Sequence, residues 1–166
     1  MDPRSSMLTK IIIAVLCLIS IPVALVLGAF IQNDLPWTDP PGFMTRLQHY
    51  LTTNVAETGS ASSYPELVIR EYHQPADVFF SLLEVSVANL GWEIDSQRDQ
   101  ANSLHAVVTT PIRKYKDDIL IRLIPVSEES FHLYIRSSSR EGHGDLGTNT
   151  RHILDLYHQI EMQIAR

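Results

Sequence analysis

Between Lys116 and Arg151 the chain gathers the side chains best suited to chemistry. Asp117 and Asp118 come first, then Arg136, Ser137, Ser139 and Arg140, then His143, Asp145, Gly147, Asn149 and Arg151. Three uses are open to such a set. In the first it is a brace. Asp145 would cap a following helix by accepting its first N–H groups, and Gly142, Gly144 and Gly147 would allow a tight backbone path. Arg136 and Arg140 would pair with Asp117, Asp118 or Asp145 and tie the loop to the strand before it. Removing one partner of a buried pair costs ~3–5 kcal/mol, reason enough for such residues to exist. In the second use, Arg136, Arg140 and Arg151, with Ser137 and Ser139, fork around a phosphate, sulfate or carboxylate at a helix N-terminus. Asp145 already occupies that favourable field, which counts against it. In the third, Asp117, Asp118, His143 and Asp145 supply oxygen and imidazole ligands to a divalent ion. His143-x-Asp145 is weak spacing, and His152 and His158 lie six residues apart, so they cannot share a helix face. There is no Ser-His-Asp order, Gly-x-Ser-x-Gly, phosphate loop or HExxH. The brace ranks first, and no catalytic residue, metal ligand or cofactor is assigned.

Periodicity supplies the elements that would position these groups. "ELVIREY" from Glu66 is a strand, and Gln74-Pro75 opens a helix with Pro75 at its first position and Asp77 in its first turn. Phe79, Leu82, Leu83, Ser86 and Leu90 follow the helical period, and Gly91 ends it. "WEIDSQ" is a strand, followed by a turn around Arg98-Asp99-Gln100. "SLHAVVTT", "DDILIRLIP" and "SFHLYIRS" alternate, the last two placing Ile119, Ile121, Leu123 and Phe131, Leu133, Ile135 inside. Arg122, His132, Tyr134 and Arg136 then share the other face. Arg113, Lys114 and Lys116 read as solvated turn charges. A final helix from about Leu146 to Ile164 repeats Ile153, Leu156, Tyr157, Ile160 and Ile164. The order β-α-β-β-β-β-α predicts an α+β two-layer sandwich, an antiparallel sheet with two helices on one face.

Upstream, "IIIAVLCLISIPVALVLGAFI" from Ile11 to Ile31 holds 21 residues without a charge. That length spans the ~30 Å hydrocarbon core, and membrane helices tolerate a mid-span proline such as Pro22. The organisation expected is 1–10 cytoplasmic, 11–32 a transmembrane anchor, 33–65 a linker with a short helix at Thr45–Leu51, and 66–166 the domain. Arg4 and Lys10 precede the span while Asp34 and Asp39 follow it, so the N-terminus is expected in the cytoplasm and the domain outside it. A cleaved signal would show a shorter apolar run and a better cleavage site than Leu27-Gly28-Ala29. An uncleaved anchor therefore ranks first, ahead of a cleaved signal and a buried core helix. Cys17 is the only cysteine, which excludes an intrachain disulfide and a cysteine-based metal site. Trp37 suits the membrane interface. Beyond Gln32 there are 18 acidic and 11 basic side chains. That balance excludes a general nucleic-acid binder, which needs a broad positive field.

"YKDDILIRL" and "YIRSSSREGHGDLGTNTRHI" together resemble the signature of the family catalogued as domain of unknown function 1499. The matching positions are Asp117 and Asp118; Arg136, Ser137, Ser139 and Arg140; and Gly142, Asp145, Gly147, Asn149 and Arg151. The resemblance covers about Leu67 to Ile160. Many members carry a Pro-Asn-Cys segment before the domain, which this chain lacks. The resemblance implies a fold and no reaction. By element order the domain also resembles lipid-binding helix-grip folds, with too few strands for a deep cavity. The expected role is a membrane-anchored, non-enzymatic binding or assembly module. Its partners are the membrane through residues 11–32 and a protein or small anionic ligand, not nucleic acid. The alternatives are a metal-assisted or hydrolytic enzyme using Asp117, Asp118, His143 and Asp145, and a small-anion or lipid-ligand domain.

Overall fold

The computed structural model describes residues 3–95, 102–110 and 114–165. The expected turn at 98–100 and Arg113 lie outside them. The chain divides into two units, Met1–Asp34 and Leu35–Arg166. The first is a single helix, α1 (Pro3–Asn33), which runs without a break through Pro22. Its Met7–Asn33 portion is long and apolar enough to cross a membrane, and it encloses the expected span.

The second unit is α+β, with an antiparallel sheet. In chain order it comprises α2 (Phe43–Thr52), β1 (Val55–Glu57), β2 (Arg70–His73), α3 (Ala76–Asn89), β3 (Glu93–Ile94), β4 (Ser103–Thr109), β5 (Lys116–Pro125), β6 (Ser130–Ser139) and α4 (Thr148–Ile164). β3 to β6 pair consecutively, as the short turns require. The far edge of β6 is shared: β1 pairs with Arg136–Ser138 and β2 with Ser130–Leu133. The strand β1 was not expected. Its three residues, within a polar stretch read as linker, are too few to show a period of two.

Other boundaries move for local reasons. "ELV" is not strand, because Pro65–Leu67 forms a short 3-10 turn that delivers Leu67 to the core. Pro75 stands at the N-cap of α3, one position earlier than expected. "WEIDSQ" contributes only Glu93–Ile94 as strand among the described residues. The last helix starts at Thr148 because Leu146 (φ 55°) and Gly147 (φ 85°) are both left-handed. Burial follows the expected parity on β5 and β6, whereas on β4 Ser103 and Val107 are buried together with Leu104 and Ala106, and Val108 only partly. Ile119, Ile121 and Leu123 of β5, with Phe131, Leu133 and Ile135 of β6, share one core with Phe79, Leu83 and Val87 of α3. Ile153, Leu156, Tyr157 and Ile160 of α4 complete it, while Ile164 is exposed.

Residues 35–65 are not a free linker. Arg46 of α2 is fully buried and its five N–H groups all find acceptors. Nε donates to the Asp39 carbonyl (3.0 Å), and Nη1 to Tyr50 Oη (3.2 Å) and Glu66 Oε1 (2.5 Å). Nη2 donates to the Pro40 carbonyl (2.5 Å) and Glu66 Oε2 (3.0 Å). A planar guanidinium suits such a fork, and the paired Glu66 carboxylate raises the Arg46 pKa further. One side chain thereby joins 39–50 to the turn before β2.

Candidate functional site

The inward parity of β5 and β6 does not stop where the apolar residues do. Continued past Ile119 it reaches Asp117, and continued past Ile135 it reaches Ser137, and both are buried. At this end of the sheet the core turns polar, and the first turns of α4 cover it with Asn149 and His152. Buried polar groups must find partners, and most of these do. Asn149 Nδ2 donates to Asp145 Oδ2 (2.6 Å), the Asn54 carbonyl (2.9 Å) and Ser139 Oγ (3.0 Å). Ser137 Oγ donates to Asn149 Oδ1 (2.5 Å) and lies 3.3 Å from His152 Nδ1. Asp117 Oδ2 is 3.8 Å from the same His152 nitrogen and accepts no hydrogen bond among the described residues.

Ser137, His152 and Asp117 are thus neighbours, but not as a nucleophilic triad. A triad sets acid and nucleophile on opposite ring nitrogens with the hydroxyl open to substrate. Here both groups face Nδ1, and all three are buried. In the sequence His152 stands against His158, six residues on, and that spacing gives it no role. Its signal was strand parity, which aims Asp117 and Ser137 at whatever helix covers them. Burial holds the His152 pKa below its ordinary 6.5, although Asp117, Asp155 and Asp145 pull it the other way. Burial is the larger influence. The folded state therefore disfavours the imidazolium, and the unfolded chain binds that proton more tightly. Stability from this group is complete above 6.5 and is lost as pH falls below it. His49, also lowered mainly by burial, acts in the same direction. Denaturant midpoints of the chain in detergent should fall from pH 7.5 to pH 5. His152→Gln should flatten that slope without abolishing it. An unchanged slope in the variant would place the titration elsewhere.

Asp145 holds the start of α4 from two residues before the N-cap, which is Gly147 and not Asp145 as expected. Its Oδ1 accepts the Gly147 N–H (2.8 Å) and its Oδ2 the Asn149 N–H (2.9 Å). Burial nevertheless pushes its carboxyl pKa up, against those hydrogen bonds. The loop itself rests on the end of α2. Leu146 N–H donates to the Tyr50 carbonyl (3.0 Å) and Asp145 N–H to that of Thr53 (3.2 Å). Asn54 Nδ2 donates to the Gly142 carbonyl (2.8 Å). Two glycines are needed for close approach. A Cβ on Gly144 would strike the Leu51 carbonyl, and one on Gly147, already left-handed, would strike Leu35.

The arginines disperse. Arg140 makes a two-pronged pair with Asp118 (2.9 and 2.7 Å), and Arg151 pairs with Asp155 one turn on (2.7 Å). Arg136 does not join Asp117, Asp118 or Asp145. It lies on the outer sheet face, 3.1 Å from Ser138 Oγ and 3.9 Å from Glu57, a partner supplied by the unforeseen strand β1. Such a half-exposed pair contributes ~0–1 kcal/mol. Asp117 points inward and Asp118 outward, and His143 is exposed. Among the described residues no three His, Cys, Asp or Glu side chains are placed to hold a metal ion. One cleft of about 150 Å³, lined by Gln74, Asn102, Glu128 and Phe131 among others, lies at the other end of β5. It is smaller than the ~300–1,000 Å³ of small-molecule sites. A family model described as "Protein of unknown function (DUF1499)" matches residues 36–160. No curated protein matches the chain.

Proposed function

The chain belongs to the family described as a protein of unknown function (DUF1499), and from that premise we propose that it is a membrane-anchored, non-enzymatic binding or assembly module. One observation carries the reading. Apart from Arg136, the polar side chains of the family's motif are consumed within the fold. Asp145 and Asn149 secure the start of α4, while Arg140 and Arg151 each face a carboxylate of this chain. A set of ionic groups already neutralised and hydrogen-bonded is suited to bracing, and poorly suited to forking around an added anion. The open sheet face, with Arg122, His132, Tyr134 and Arg136, is the surface left for a partner protein. α1 is the anchor, oriented with Arg4 and Lys10 in the cytoplasm and the second unit outside it.

The experiment is protease treatment of sealed right-side-out vesicles holding the full chain. The domain should be digested from outside while the Met1–Lys10 peptide stays protected, and the protein should resist alkaline extraction. Complete protection of the domain, or a soluble product starting near Ile31, would overturn the anchored reading.

A further inference from the structure

Helix α2 is fastened by Arg46 and Tyr50, yet a second face of it stays open. Phe43, Leu47 and Leu51 recur at i, i+4 and i+8, and Met44 lies beside Leu51. At roughly 100° per residue these four fill one arc of about 100°, flanking the buried arc. Phe43 is 52% exposed, Met44 72% and Leu51 48%. The Trp37 ring, 5.7 Å from that of Phe43, adjoins the same surface. The helix holds one formal charge, Arg46, and it is buried, so the open face has no cation to offer. The nearest preceding charges are acidic, Asp34 and Asp39.

We propose that this face of α2 seats in the interfacial layer of the membrane that α1 enters. The inference rests on the anchored reading above. Two observations favour a lipid surface over a protein partner. Only Asp34–Gly42 separates α1 from α2, and that segment is drawn into turns by hydrogen bonds such as Asp39 N–H to Pro36 and Gly42 N–H to Asp39. Arg46 then clamps the Asp39 and Pro40 carbonyls to α2 itself, so few residues of free chain remain between α2 and the apolar span. The composition also fits: an apolar stripe with Trp37 beside it matches the apolar half of an interfacial helix. Without an exposed cation it binds by apolar burial alone, so it is indifferent to lipid charge.

The test uses the full chain with Cys17→Ser, which removes the native thiol, in phosphatidylcholine vesicles with and without phosphatidylglycerol. A single cysteine replaces Met44, Thr45 or Leu18 and carries an environment-sensitive fluorophore, with nitroxide lipid as quencher. The label at 44 should be blue-shifted and quenched several-fold more than at 45, on the polar side of the helix, equally in both lipids. Equal quenching at 44 and 45 overturns the proposal. So does a blue shift at 44 that lipid does not quench and that grows with protein density, which would put a second copy on this face. Quenching lost at 44 but kept at 18 removes the docking and leaves the anchor. Quenching lost at both removes the two together.

Discussion

Arg46→Ala should lower the stability of the second unit by ~3–5 kcal/mol, the range for removing one member of a buried ion pair. The reason is what the guanidinium leaves behind. Glu66 keeps a carboxylate whose side chain is only 9% exposed, while the Asp39 and Pro40 carbonyls and the Tyr50 hydroxyl lose their donor. Each stranded group has a desolvation cost of its own, ~1–3 kcal/mol and more where charged. Arg46→Lys should recover little, because three rotating donors cannot span two carboxylate oxygens, a hydroxyl and two carbonyls. Arg46→Met with Glu66→Met should lose less than Arg46→Ala alone, since the unpaired charge goes too. The loss should also be local in its first effects. The loop Gly142–Gly147 rests on the Tyr50 and Thr53 carbonyls, so its amides should exchange faster in Arg46→Ala. Urea midpoints in detergent decide the matter, and a variant within 1 kcal/mol of the parent would show that Arg46 is dispensable.

Asn149→Ala should cost about 3 kcal/mol or more. Asn149 is fully buried and both ends of its amide are used, three acceptors on Nδ2 and the Ser137 hydroxyl on Oδ1. Its removal leaves Asp145 with backbone donors only, in a place where burial already works against its charge. Asn149→Asp is the sharper variant. It sets a second carboxylate 2.6 Å from Asp145 Oδ2, where the amide nitrogen now stands. Two carboxylates that close cannot both ionise, so one pKa rises well above the ordinary range. A raised folded-state pKa means the folded variant holds a proton that the unfolded chain releases. Its stability is therefore highest in acid and is lost as pH rises. That slope is opposite to the one His152 gives the parent. Melts of both proteins between pH 4.5 and 7.5 should diverge as pH rises, and parallel curves would mean that Asn149 does not hold Asp145.

Much of this was legible beforehand because local physics decides it. An uncharged run of 21 residues predicts a helix able to cross a membrane, and strand parity in "DDILIRLIP" and "SFHLYIRS" names the inward residues correctly. The two amphipathic helices and the family resemblance follow from spacing and motif alone. Period and capping act over a few residues, and a single chain displays them.

What tertiary structure alone decided is who partners whom. Arg136, Arg140 and Arg151 look equivalent in sequence. Arg140 reaches Asp118 only because β5 and β6 end side by side, and Arg136 reaches Glu57 only because β1 joins the far edge of β6. "TTNVAETGSASSYP" and the prolines before it read as linker, since polar, aperiodic composition carries no local signal. Arg46, Asn149 and the loop at 142–147 turn that stretch into part of the fold through hydrogen bonds between residues far apart in the chain. His152 joins Asp117 and Ser137 because the left-handed Leu146 and Gly147 delay α4 until its first turn covers the polar end of the sheet. Burial then sets the protonation of that group, and burial is a property of everything packed around a side chain.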